Sequence, residues 1–172
     1  MTTSSREAEQ FSGLILLTGE DKPGLAHALF TALSPFSVAV IDLDQIIIKD
    51  RLILTLQISL NPAHQNAIEE DLNLLASDLA VDIAAVFSSS PAQREKPTCL
   101  MIKLSSEKLH PKHLSEITQA LFNAGANIED LTRTATFPLE VTIKLSGISQ
   151  NDLQTSLAVL QNSTEFSLTI GA

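Results

Sequence analysis

Leu14-Ile15-Leu16-Leu17-Thr18-Gly19-Glu20-Asp21-Lys22-Pro23-Gly24-Leu25 decides the fold, because a short apolar run passes through a Gly/Pro turn straight into a helical pattern. The run suits a buried central strand. Asp21 is placed to cap the helix and Pro23 to occupy its first turn, and Leu25, Leu29, Ala32 and Leu33 repeat at helical spacing until Pro35 stops them. Working outward, Val38 to Lys49 is dominated by Val and Ile, and Leu52, Leu54, Leu56, Ile58 and Leu60 alternate without a break. These are two strands, joined into an antiparallel hairpin by the polar Lys49-Asp50-Arg51. Asn61-Pro62 ends the hairpin, Ile68, Leu72, Leu75 and Leu79 trace one face of a second helix, and Val81 to Phe87 supplies a last strand. The order is β-α-β-β-α-β.

The same order returns after a polar, Pro-bracketed stretch. Leu100 to Leu104 reads as a strand, Pro111 to Ala124 as a helix with Leu114, Ile117 and Leu121 inward, and Asn127 to Thr136 with Leu139 to Leu145 as a hairpin. Leu153, Leu157 and Leu160 mark another helix, and Phe166 to Ile170 closes the unit. Ala28-Leu29-Phe30 is echoed by Ala120-Leu121-Phe122, and Asp42-Leu43 by Asp130-Leu131, as a duplication would leave them. The expected fold is α+β: two ferredoxin-like units in tandem. Residues 1–12 are expected to be a flexible leader, 13–88 the first domain, 89–97 a linker and 98–172 the second domain.

Composition narrows the function classes. Of 172 residues 44% are apolar, with seven Phe and neither Trp nor Tyr, so the core is aliphatic and platforms for stacking bases or sugars are scarce. A net charge of −9 repels phosphate backbones and anionic headgroups, so neither nucleic acid nor a membrane is expected as a partner. Most of the acidity sits in the first half. The lone Cys99 allows no internal disulfide, and the polar stretch Met1 to Gln10 is unlike a signal peptide, which together point to the cytoplasm. Cys99, at a strand start, is expected to act as a small buried hydrophobe.

The loop from Gly19 to Leu25 is also the best candidate for chemistry. A helix start leaves free amides that favour a small carboxylate, and Gly24 lets a ligand approach the backbone. Elsewhere the candidates are weaker. His110 and His113 are spaced to share one helix face, but two ligands make a poor metal site and solvated histidines are expected. His27 falls on a solvated helix face, and Glu69-Glu70-Asp71 reads as solvated charge near a helix N-terminus.

Gly19-Glu20-Asp21-Lys22-Pro23-Gly24-Leu25, followed by Ala28-Leu29-Phe30, resembles the D-x-P-G loop of ACT domains, small ferredoxin-like modules that bind amino acids. Asp42-Leu43-Asp44-Gln45-Ile46-Ile47-Ile48-Lys49-Asp50-Arg51-Leu52 is similar to the first ACT domain of actinobacterial-type phosphoserine phosphatases. Gly125-Ala126-Asn127-Ile128-Glu129 and Phe137-Pro138-Leu139-Glu140-Val141 resemble their second. The resemblance implies regulation: L-serine or a related amino acid bound between ACT domains of paired subunits, in a homodimer or larger homo-oligomer. It implies Asp21, Pro23, Gly24 and Leu25 as ligand-binding residues, with Asn127 of a partner chain offering its amide. The second unit departs from the pattern at Ser105-Ser106-Glu107-Lys108-Leu109-His110-Pro111, which has no D-x-P-G and has Ser105 where the phosphatases have glycine; Ser105 would narrow that pocket.

Phosphatase chemistry needs two Asp residues two apart, a distant Lys and an acidic pair for Mg²⁺. Val40-Ile41-Asp42-Leu43-Asp44 mimics the first part only, and Asp42 falls in a strand. Hence no catalytic residue, metal or cofactor is expected in this chain; Mg²⁺ would belong to a separate catalytic domain, for which two units leave no length. The alternative is a free-standing regulator similar to the glycine-cleavage repressor, acting through protein partners.

Overall fold

The computed structural model describes residues 9–91 and 99–171. The chain divides into two compact units between residues 94 and 95. In the first, β1 (Glu9–Glu20), α1 (Leu25–Leu33), β2 (Ala39–Ile48), β3 (Arg51–Ser59), α2 (Gln65–Leu79) and β4 (Asp82–Pro91) follow one another, with a single 3-10 turn at Pro62–His64 before α2. The second repeats them as β5 (Leu100–Ser106), α3 (Pro111–Asn123), β6 (Asn127–Thr136), β7 (Leu139–Ser146), α4 (Gln150–Leu157) and β8 (Ser167–Gly171). Each sheet is antiparallel and four-stranded, in the orders β2-β3-β1-β4 and β6-β7-β5-β8. Both units are therefore α+β with the ferredoxin-like topology expected from the two sequence repeats.

Two core clusters account for the pattern. In the first unit Ile15 and Leu17 of β1 and Leu52, Leu54, Leu56 and Ile58 of β3 meet Leu25, Leu29 and Leu33 of α1 and Ile68 and Leu72 of α2. In the second, Ile102, Leu104, Val141, Ile143 and Leu145 meet Ile117, Leu121, Leu153 and Leu157. The alternation read in β3 holds through the whole strand, with the even-numbered residues Leu52 to Ile58 inward. Burying side chains of this size is worth about 1.5–3 kcal/mol each, against the entropy of ordering the chain.

Several expectations need correction. The run Leu14 to Leu17 is central in the sheet but covered on one face only, so Leu14 is 54% exposed while Ile15 and Leu17 are fully buried. Helices lie on a single face, which leaves the opposite residues of a central strand uncovered. β1 begins at Glu9 rather than Gly13 and β4 continues to Pro91, because the two strands pair from Glu9↔Pro91 through Thr18↔Asp82. Part of the expected leader and of the expected linker is thus strand; residues 1–8 and 92–98 lie outside the described residues. On α3 the inward positions are His113, Ile117 and Leu121, with Leu114 half-buried. Cys99 is half-buried.

The candidate ligand loop

β1 ends at Glu20 and α1 starts at Leu25, so Asp21 to Gly24 form the whole connection. Gly24 is the N-cap, in the left-handed region at φ 96° and ψ −9°, a conformation in which any Cβ is strained. The Asp21 carboxylate makes no capping bond and Pro23 precedes the cap instead of sitting in the first turn, which corrects both roles expected for them. The left-handed Gly24 redirects the chain so that the helix begins after it. Asp21 is held in another way: its N–H donates to the carbonyl of Asp50, at the tip of the β2–β3 hairpin, over 2.7 Å.

This leaves an unfilled helix start. Ala28 N–H donates to Gly24 O at 2.8 Å, while the amides of Leu25, Ala26 and His27 have no acceptor among the described residues. Nothing lies within 4 Å of where a Gly24 Cβ would stand, so the amides open directly to the surface. Leu25 sends its side chain into the core, which fixes the position of its own amide. Lys22 pairs with Glu20 at 2.8 Å, with both side chains more than half exposed. His27 is exposed, as its place on the helix suggested. A carboxylate placed at this positive end of the helix dipole gains on the order of 1 kcal/mol.

The corresponding loop of the second unit is built differently. Ser105 is half-buried in β5, paired with Glu140 and Ser167, and its alternation with Leu104 points it away from the helices. The side chain that reaches the level of Gly19 is Ser106: Gly19 pairs with the β3 residue Leu52, and Ser106 with Leu139, each two residues past an inward leucine. A Cβ on Gly19 would stand 2.6 Å from Val81 Cγ1. In the second unit Ser106 Oγ is instead taken up by hydrogen bonds to the carbonyls of Glu165 (2.9 Å) and Lys108 (3.0 Å).

The sequence predicts a solvated His113, and the structure corrects this, since the residue is only 4% exposed. Its Nε2 lies 2.9 Å from Glu165 Oε2, its Nδ1 accepts the His110 N–H at 3.4 Å, and its ring packs on Phe166 with centroids 5.3 Å apart. His110 remains exposed. Ser106, Lys108, His110, His113, Thr164 and Glu165 line a cleft of about 320 Å³. Among the described residues no three His, Cys, Asp or Glu side chains are grouped to hold a metal ion.

Asn127 opens β6 on the surface, where its Nδ2 donates to Glu129 Oε1 at 2.6 Å. Ser146 Oγ donates to the same oxygen. These two donors, the serine hydroxyl first, hold the Glu129 carboxyl below the usual carboxylate range. Asp42 and Asp44, the phosphatase-like pair, lie exposed on β2, and Asp42 Oδ1 accepts the N–H of Leu43 at 2.9 Å. Glu69, half-buried on α2, takes a hydrogen bond from Gln65. Sequence reasoning located the loop but missed both ties to it, Asp50 in the first unit and Glu165 in the second. Neither leaves a motif, since each partner is distant in the chain.

Comparison with known proteins agrees with this fold. Residues 13–86 match the family model described as the ACT domain. The chain is 25% identical over 150 residues to a phosphoserine phosphatase of Streptomyces coelicolor, covering 84% of this chain and 36% of the relative. It is likewise 25% identical over 130 residues to phosphoserine phosphatase SerB2 of Mycobacterium tuberculosis, covering 74% of this chain and 32% of the relative. The chain thus spans about a third of the length of these relatives. Among solved structures, a glycine cleavage system transcriptional repressor so described on a provisional basis matches with TM-score 0.72 and 16% identity over 94% of this chain and 97% of its own. A protein of unknown function from Galdieria sulphuraria matches with TM-score 0.74 and 18% identity over 95% and 98%. The ACT domain match thus falls on the first unit, and the second unit repeats its fold. No helix among the described residues is long and apolar enough to cross a membrane.

Proposed function

Taking residues 13–86 as an ACT domain, we propose that the chain is a non-catalytic, cytoplasmic amino-acid-sensing region of the kind found beside the catalytic part of phosphoserine phosphatases. It takes L-serine or a related small amino acid at the first loop and couples binding to assembly of a homodimer. The observation that carries this reading is the open helix start at Gly24, where three amides lack an acceptor among the described residues. The ligand carboxylate sits on the amide of Leu25 against Gly24, Pro23 keeps the turn rigid, and Asp21 supplies countercharge for the ammonium group. On so exposed a loop the ligand needs a second wall, which a partner chain provides with Asn127. The ligand then takes the place of Glu129 on the Asn127 amide. Ser105, pointing from the opposite sheet face, belongs to the rim of the second unit's counterpart.

Titration calorimetry with L-serine, glycine and other small amino acids tests the site. Binding to the wild-type chain and its loss in Gly24→Val are expected, because valine is strained at φ 96° and its side chain stands over the amides. Absence of binding to the wild type, or unchanged binding in the variant, sinks the assignment.

A free-standing regulator that acts through a protein partner is a second reading, supported by the shared fold with the repressor structure at TM-score 0.72. The reading frame beyond Ala172 separates the two. Continuation into a phosphatase domain supports the first, and a stop codon followed by co-purification of a protein partner supports the second.

A further inference from the structure

The outer faces of the two sheets, turned away from the helices, differ in chemistry. In the first sheet, strand pairing places Asp44, Thr55, Leu16 and Ala84 in one row across β2, β3, β1 and β4. The row on one side of it ends in Leu14 and Val86, and the row on the other begins with Ile46 and Ile53. The apolar members therefore make one diagonal stripe, open to solvent, with Val86 65% and Ile46 47% exposed. Carboxylates flank it on both sides. Asp42 and Asp44 stand at one corner and Asp82 at the opposite one, all three exposed. Asp82 meets Arg51 at 4.0 Å, whereas Asp42 and Asp44 make no ion pair among the described residues.

Outward positions on an antiparallel sheet covered on one side are ordinarily polar. The second unit follows that rule. At the places that strand pairing makes equivalent, it has Lys103 for Leu16, Thr169 for Ala84, Gly171 for Val86 and Glu140 for Ile53, and keeps only Met101 for Leu14. Its charges are paired on the face itself, Lys103 with Glu140 at 3.3 Å and Lys144 with Asp130 at 3.4 Å. The apolar stripe of the first unit is thus not a requirement of the fold. The charge beside it selects the occupant. A second copy of the same face would bring one acidic surface onto another, and a phosphate backbone or an anionic membrane would be repelled. An amphipathic helix with Lys or Arg beside its apolar stripe matches both the stripe and its flanks.

We propose that the outer face of the first sheet docks a basic amphipathic helix of a partner protein. The apolar side of that helix lies on Leu14, Leu16, Val86 and Ile53, and its cations reach Asp42 and Asp44 on one flank and Asp82 on the other. The docking does not rest on the ligand reading of the first loop. Methyl NMR of the full chain, titrated with a synthetic helical peptide that has leucines on one stripe and lysines beside it, tests the surface. Saturable shifts at the methyls of Leu14, Leu16, Val86 and Ile53 are expected, with Met101 on the second sheet unmoved. The same peptide with glutamates in place of lysines is expected to bind about tenfold more weakly. Leu16→Lys installs the side chain that the second unit bears at this place. It is expected to leave the buried Ile15 and Leu17 methyls in position and to weaken the lysine peptide about tenfold. Asp42→Asn combined with Asp44→Asn is expected to weaken it about threefold at low salt, with the two affinities converging at high salt. Shifts spread over the whole chain, equal affinity for the glutamate peptide, or affinity unchanged in both variants overturns the proposal. Movement of the Leu14 and Val86 methyls on dilution of the chain without peptide also overturns it, because the occupant is then a second copy.

Discussion

Gly19 packs against the start of β4 so closely that a methyl group in its place would stand 2.6 Å from Val81 Cγ1. Gly19→Ala is expected to destabilise the first unit by about 1–3 kcal/mol, as overpacking does, measured by urea unfolding. Glu129 offers a pH-dependent test. The Ser146 hydroxyl and then the Asn127 amide hold its carboxyl below the ordinary range. A carboxyl with a depressed folded pKa adds stability that is present above its unfolded value and lost as pH falls through the folded one. Ser146→Ala is expected to move the Glu129 carboxyl titration upward, followed by carbon NMR of the side chain. At this scale the sequence marked the turn by its Pro and Gly but placed the cap on Asp21, where the structure has a left-handed Gly24. It was not legible where a role depends on a distant partner: His113 reads as a surface histidine until Glu165, 52 residues away, is brought to its tip.

Edge strand β2 is the element whose exposure demands an explanation. Val40, Leu43, Ile46, Ile47 and Ile48 are each about half exposed, on both faces of the strand. The two-residue turn at Lys49-Asp50 makes Ile48 and Arg51 a hydrogen-bonded pair, so the amides and carbonyls of Leu43, Gln45 and Ile47 face away from β3. Its counterpart β6 is blunted by two register irregularities and carries Glu129, Asp130 and Arg133. β2 has its own irregularity at Val40/Asp42 and the exposed Asp42 and Asp44, but beyond them the apolar edge Ile46 to Ile48 favours pairing with another strand, which is the support for a homodimer through the first unit. Ile46→Lys is expected to shift the chain to monomer in sedimentation velocity while changing monomer stability by no more than about 0.5 kcal/mol, as exposed substitutions do. An unchanged dimer in that variant would place the interface elsewhere. Strands and helices were legible from period because one face of each is buried. Their ends were not, since β1 and β4 extend each other through backbone pairing that leaves no apolar signal in Glu9, Gln10 and Ser88 to Ser90.

At the scale of the whole chain, duplication has produced two cores, each closed within its own unit. Leu56→Ala, in the middle of the first core, is expected to cost about 2–5 kcal/mol. Hydrogen exchange should then show lost protection in the strands β1 to β4 and none in β5 to β8; loss of protection in both would mean that the units unfold as one. The repeat order was legible because both halves present the same sequence of periods and breakers. The divergence of the halves was not, because it rests on the ties made around each loop. One of those ties has a thermodynamic consequence. The bond from Asp21 N–H to Asp50 O ties the loop to the tip of the hairpin whose outer strand is β2. Whatever factor a bound amino acid adds to the pairing of two chains, pairing must return to the affinity for that amino acid. On the coupling proposed above, dilution alone is expected to weaken the ligand, and a titration at one protein concentration reports only one point on that exchange.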